Sequence, residues 1–148
     1  MAAERVRINR AGEQELDAVM RLWLAGNVQA HDFIPEAYWH GHFEEVRKAV
    51  SQSRVYVAYA GGAAIGFIGL VDGYVAGLFV DEHSRGSGVG RRLLACAKAE
   101  NSALTLQVYR QNAGAVRFYR REGFVVASEQ CDEQTGQREY TMRWQKEK

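Results

Sequence analysis

The chain has 148 residues, which suits one domain with a real core. Its formal net charge is +1, from 19 Lys and Arg against 18 Asp and Glu, so there is no electrostatic case for nucleic acid or an anionic membrane surface. Apolar residues are plentiful but broken up. No run approaches the roughly 18–20 residues of a membrane span, the start Met1-Ala-Ala-Glu-Arg-Val lacks the apolar core of a signal peptide, and Cys96 and Cys131 make neither a disulfide framework nor a zinc spacing. A cytoplasmic protein of one domain, residues 1–148, without linker or internal repeat, is the expectation.

Arg5 to Asn9 alternates, with Val6 and Ile8 on one face, and reads as a first strand. Glu13 to Val28 is helical, because Leu16, Val19, Met20, Trp23 and Leu24 recur at the 3.6 period. The pattern breaks between Asn27 and Pro35. Pro35 suits the first turn of a second helix, in which Trp39, Phe43, Val46 and Val50 form one stripe. Strands follow at Arg54–Ala60, Ala64–Val71 and Tyr74–Val80, separated by the hairpin signals Gly61-Gly62 and Asp72-Gly73. A helix from Arg91 and a strand from Leu104 to Tyr109 come next. Strand, helix, strand is a crossover, so this strand should run parallel to Tyr74–Val80. Asn112 caps a further helix that Gly123 ends. A hairpin around Thr135-Gly136 closes the chain, with Tyr140, Met142 and Trp144 sharing a face of the last strand.

Gly77 to Glu100 organises the rest. The apolar run Leu78-Phe79-Val80 enters a turn, Arg85-Gly86-Ser87-Gly88-Val89-Gly90, and the turn opens a helix at Arg91. The first N–H groups of a helix have no intrahelical partner and carry the positive end of its dipole. Glycine lets a ligand approach that backbone, and Arg85 adds a full charge, so phosphate or pyrophosphate is the natural ligand. A purely structural turn is the plain alternative. A dinucleotide fingerprint fails because Arg91 stands where its third glycine belongs. A P-loop fails because Gly90 is followed by Arg91 and Arg92. What is left is Arg-x-x-Gly-x-Gly.

With a second motif, Asn112-Ala-Gly-Ala-Val-Arg-Phe-Tyr119-Arg-Arg-Glu-Gly123-Phe124, this order of elements resembles the GNAT superfamily of acyl-CoA-dependent N-acyltransferases over essentially the whole chain. The resemblance implies an α/β fold: a mixed central sheet of about six to seven strands flanked by about four helices, with the fourth and fifth strands parallel and splayed. It implies acetyl-CoA as co-substrate and no metal. The pyrophosphate would lie on the backbone from Arg85 through Gly86, Ser87, Gly88, Val89 and Gly90 to Arg91. Pantetheine would pair with Leu78, Phe79 and Val80, and Asn112 would hydrogen-bond its arm. A backbone N–H near Phe79 or Val80 would steady the oxyanion of direct attack by an amine. Tyr119 would meet the departing thiolate: a free thiol has a pKa of about 8.5 and a tyrosine about 10, so its hydroxyl can share or donate a proton. A core aromatic beside Phe118 is the bland alternative for Tyr119.

One feature departs from the family pattern. Many relatives carry a glutamate on the strand before the glycine turn, and Tyr74–Val80 has no acid. Water, His31 or an amine arriving neutral are the open choices for the base. The segment joining the first two helices holds His31, Phe33 and Tyr38, which are expected to line the acceptor pocket. Cys96, among Leu93, Leu94 and Ala97, suits a buried apolar role, and His40 and His42 cannot share a helix face for a metal. The leading reading is therefore an N-acetyltransferase acting on a small-molecule, peptide or protein amine. A non-catalytic acyl-CoA-binding module and a nucleotide-binding domain are its rivals. The open edges of such a sheet leave room for a homodimer.

Overall fold

The computed structural model describes residues 5–147. A seven-stranded sheet runs through it in the order β1-β2-β3-β4-β5-β7-β6. The strands are β1 (Val6–Arg10), β2 (Arg54–Ala60), β3 (Ala63–Val71), β4 (Tyr74–Val80), β5 (Ala103–Tyr109), β6 (Val125–Asp132) and β7 (Gln137–Gln145). Every neighbouring pair is antiparallel except β4 and β5. The Asp72-Gly73 turn behaves as its sequence requires. Both residues have positive φ, 47° and 82°, which suits the right-handed twist of the strands they join.

Helices cover both faces. On one side lie α1 (Leu16–Ala30), α2 (Glu36–Gly41) and α3 (Phe43–Ser51). Their apolar stripes bury Val19, Met20, Trp23 and Trp39 against Val55, Val57 and Phe67 of the sheet. On the other side lie α4 (Val89–Glu100) and α5 (Ala113–Arg121). Leu93, Leu94 and Ala97 of α4 pack there with Ile68, Leu70, Leu104, Leu106 and Met142. β3 is therefore buried on both faces through its middle, and β4, beside it, carries the site between two cores.

Two expectations need correction. The second helix is not continuous. It breaks at His42 (φ −99°, ψ 0°), whose N–H is shared between the Tyr38 and Trp39 carbonyls, so among the described residues the sheet is flanked by five α-helices and not four. Gly41 just before the break lowers the cost of leaving the helix there. The expected stripe survives the break, because Phe43, Val46 and Val50 still pack beside buried Trp39. The helix after the glycine turn begins at Val89, not Arg91, so Gly90 is a helical residue.

Candidate active site

The slot begins with a defect in β4. Gly77 faces Gly69, but the next aligned pair is Val75 with Leu70, so Ala76 is an extra residue on β4. A bulge bends its strand. β4 meets its parallel neighbour at one aligned position, Tyr74 opposite Thr105, and beyond it the two strands part. Leu78, Phe79 and Val80 lie on the part of β4 that has left β5, each half-buried.

The glycine turn closes one end of this slot. Gly86 and Gly88 have φ of 80° and 87°, which other residues rarely adopt, and a Cβ built on either would meet nothing within 4 Å. Open space lies over this backbone. Gly88 is the residue before α4 and offers no side-chain cap, so the first N–H groups of α4 are left for another partner. These observations fit an anionic phosphate group. Arg85 folds back on the strand: its Nε donates to the Val80 carbonyl at 3.1 Å and its Nη2 to Gln29 Oε1 at 3.3 Å. It ties the turn to the end of β4 and to α1 while its charge stays at the turn. Arg91 also faces the slot, 3.8 Å from Glu122. The Ser87 hydroxyl donates to the Ser84 carbonyl, so it holds the turn together and is not among the residues lining the slot.

Two cavities meet at the split. The larger, about 740 Å³, runs from the glycine turn along Leu78–Val80 to Asn112 and Tyr119. The smaller, about 380 Å³, lies toward the N-terminal helices and is lined in part by His31, Tyr38, Trp39 and Tyr109. Leu78, Phe79, Asn112, Ala115 and Tyr119 line both. Tyr119 is buried between Phe118 and Phe124, and burial pushes its hydroxyl well above the ordinary tyrosine range, so it holds its proton at neutral pH.

Asn112 joins the two sides. Its Oδ1 accepts the Ala115 N–H at 3.3 Å, which caps α5. That fixes the amide orientation, so Nδ2 faces His31 Nε2 at 3.3 Å. Nδ2 can only donate; His31 Nε2 therefore accepts, and the imidazole hydrogen sits on Nδ1. His31 is 7 % exposed and stacked among Phe33, Trp39 and Tyr109. Burial lowers its pKa to about 4, against a weaker opposing pull from the Asn27 backbone, so the ring is neutral at physiological pH. His31 and Tyr38 line the smaller cavity. Phe33 does not: it stands behind them, edge-on to His31 and Tyr109.

Three carboxylates line the smaller cavity that the sequence did not single out: Glu45 from α3, Asp132 from β6 and Glu139 from β7. Asp132 is committed at both oxygens. It accepts the Tyr109 hydroxyl at 2.6 Å and the Gln134 N–H at 3.0 Å. Glu139 accepts Gln130 Nε2 at 3.3 Å. Burial pushes Glu139 above the usual carboxylate range, and nearby Asp132 adds to this while Gln130 opposes it. Trp39 was legible only as a core stripe residue, yet it too lines this cavity. Alternation on β7 places Glu139 opposite the face of Tyr140, but only the register Tyr109 opposite Glu139 brings it to the site. No local signal carries that pairing. Among the described residues no group of three or more His, Cys, Asp or Glu could hold a metal ion, and no helix is long and apolar enough to cross a membrane.

A helix N-terminus open to phosphate, feeding a slot between splayed parallel strands with a protonated tyrosine at its far end, defines the class of acyl-CoA-dependent transferases. Residues 51–126 match the family model described as an acetyltransferase (GNAT) domain, and the chain belongs to the GNAT acetyltransferases. It is 29 % identical over 139 residues to the peptidyl-lysine N-acetyltransferase YiaC of Escherichia coli, covering 93 % of this chain and 95 % of that protein. The solution structure of Escherichia coli YjaB superposes with a TM-score of 0.83 at 27 % identity, covering 97 % of this chain and 99 % of the other. The PaiA N-acetyltransferase of Thermoplasma acidophilum, crystallised with coenzyme A, shares the fold with a TM-score of 0.79 at 18 % identity, over 95 % of this chain and 99 % of that one. The chain is thus an N-acetyltransferase with acetyl-CoA as co-substrate, and not a non-catalytic acyl-CoA-binding module.

Proposed function

We propose that this protein moves the acetyl group of acetyl-CoA to the side-chain amine of a peptide or protein lysine, by direct attack. The observation that carries this reading is the meeting of the two cavities at Leu78, Phe79 and Tyr119: one suits a phosphate-bearing donor, and the other holds carboxylates that suit a cationic acceptor. The names of the relatives YiaC and YjaB, both peptidyl-lysine N-acetyltransferases, support lysine as the acceptor.

The open N–H groups at the start of α4, with Arg85 and Arg91, hold the pyrophosphate. Leu78, Phe79 and Val80 offer strand edge and apolar surface to the pantetheine arm, and Asn112 marks its far end. The bound co-substrate supplies a thioester carbonyl open to a neutral amine. Glu139 is the group we assign to take the amine proton, directly or through water, because burial raises its carboxylate above the usual range and it is less committed than Asp132, which accepts at both oxygens. His31 is unsuited to that task, since its Nε2 faces Asn112 and its pKa is about 4. Tyr119 keeps its proton at neutral pH and hands it to the leaving sulfur. A backbone N–H near Phe79 serves the carbonyl oxygen as charge develops there.

The test is to incubate the protein with acetyl-CoA and a set of lysine peptides, following free thiol and peptide mass together. One acetyl group per thiol, on a lysine Nε, is expected. Thiol release no faster than spontaneous hydrolysis with every lysine peptide would end the lysine assignment.

A further inference from the structure

On the α1 side, one side chain divides the two cavities. Trp23, Gly26, Asn27 and Ala30 follow one another along a single face of α1 at the helical period. Gly26 and Ala30 line the larger cavity, while Trp23 and Asn27 line the smaller. The Phe79 ring lies against Gly26, where an added Cβ would meet its Cδ1 at 2.4 Å, and Phe79 lines both cavities. Alternation along β4 explains the placement. Leu78 and Val80 pack into the core under α4 and α5, and Phe79 packs into the other core, under α1 to α3. Gly77, two residues earlier on the Phe79 face, has no side chain, and a Cβ there would meet the ring edge at 3.4 Å. One ring therefore fills room that glycines on two facing elements leave open. Buried Phe67, its ring centre 5.8 Å away, blocks retreat into the core.

We propose that the Phe79 ring sets the acyl-chain limit of the donor site, so that the protein takes acetyl-CoA and rejects longer acyl-CoA thioesters. This rests on the reading of the two cavities as donor and acceptor sides. The thioester then lies where they meet. Its sulfur faces Tyr119, which belongs to the core under α4 and α5, and the amine arrives from the smaller cavity. The side toward α1 is left for the acyl carbons, and there the Phe79 ring stands. An acetyl methyl ends beside the ring. Further methylenes have to displace a ring that Gly26 and Phe67 hold in place, and forcing extra methylenes into a packed site is costly. A single methylene against an apolar wall is worth roughly 10–200-fold in selection. Gly26 serves the same end. Without a Cβ it lets the ring sit back far enough to leave the acetyl group its room.

The experiment is calorimetric binding of acetyl-CoA and butyryl-CoA to the protein in amine-free buffer, so that no turnover is needed. The wild-type protein should bind acetyl-CoA at least about tenfold more tightly than butyryl-CoA. Phe79→Ala removes the ring and should bring the two within about threefold or invert their order. Phe79→Leu keeps an apolar side chain in the core and should move the ratio the same way by at least about threefold; it carries the test should Phe79→Ala fail to fold. Melting temperature is checked beside each. Loss of packing alone would weaken both thioesters together, so their ratio is what is read. Gly26→Ala added to Phe79→Ala puts a methyl into the vacated room and should weaken butyryl-CoA binding again by about threefold or more. No such loss would place the chain away from α1 and overturn the assignment. So would wild-type protein that binds both thioesters equally, or a ratio unmoved in the folded variants. A protein with the expected ratios that releases no thiol with any lysine peptide keeps the chain-length limit and loses the lysine reading. One that acetylates lysine yet binds both thioesters alike loses the limit alone.

Discussion

Gly26 is the position where packing and cofactor binding are most tightly tied. It sits inside α1, in a helix interior where alanine is normally better by about 1 kcal/mol. Here a Cβ would come 2.4 Å from Phe79 Cδ1 and 3.1 Å from Cγ and Cε1. Carbon atoms pack at about 3.5 Å or more, so the ring must yield by about 1.1 Å from the 2.4 Å contact. Phe67 blocks retreat: it is buried, and its ring centre is 5.8 Å from that of Phe79. The open direction is into the slot, since Phe79 lines both cavities. Overpacking typically costs about 1–3 kcal/mol, which the helix gain offsets only in part. Gly26→Ala should therefore lose about 0–2 kcal/mol, a fall of no more than about 8 °C in Tm for a domain of this size. Its larger effect should be on the donor side, where Kd for coenzyme A rises about tenfold, or about 1.4 kcal/mol. The assay pairs thermal melting with calorimetry. A Gly26→Ala protein that melts at or above the wild-type temperature and binds coenzyme A within twofold would refute the packing argument.

Other expectations follow from the same geometry. Gly88→Val puts a branched residue at φ 87° in an exposed turn, so coenzyme A affinity should fall by more than about tenfold while the fold survives; unchanged affinity in calorimetry would remove the turn from the donor site. His31 has a folded pKa of about 4 against about 6.5 when unfolded, so the unfolded chain binds its proton first as pH falls. Its contribution is fully present above about pH 6.5 and is lost toward pH 4, by up to roughly 3 kcal/mol, and urea titrations of His31→Gln should show a shallower loss than wild type over that window. Phe33, Trp39 and Tyr109, the rings around it, carry no charge there. Glu139→Gln should lower kcat/KM for a lysine peptide by roughly 10²-fold and remove the acid limb of the pH–rate profile, which a carboxylate held above its usual range sets; a persistent limb would assign the proton to another group.

The glycine-turn part of the proposed donor site was legible in the sequence because it is local. Strand, glycine turn and helix follow one another within Gly77–Glu100, and φ at Gly86 and Gly88 can be inferred from residue type. The Tyr74–Val80 strand and its parallel partner were readable from period and crossover. Of the proposed acceptor half only His31 and Tyr38 were named from the sequence, because the rest is assembled from α3, β5, β6 and β7. Glu139 reaches it only through the register of β5 with β7, and Asp132 only through β6 pairing with β7. The bulge at Ala76, which splits the sheet, leaves no mark beyond two glycines, Gly69 and Gly77, that come to face each other. Trp39 misled for a different reason. Its place in a helical stripe is genuine, but one edge of a buried indole can serve a cavity while its face serves the core.

The most direct test of transfer at the junction of the two cavities is Tyr119→Phe, which keeps the ring packed between Phe118 and Phe124 and deletes only the hydroxyl. With a lysine peptide whose chemical step is rate-limiting, kcat should fall roughly 10²–10⁴-fold, while affinity for acetyl-CoA stays within about twofold. A fall in kcat of less than about threefold in the folded variant would contradict the proton-donor role and leave Tyr119 as packing alone.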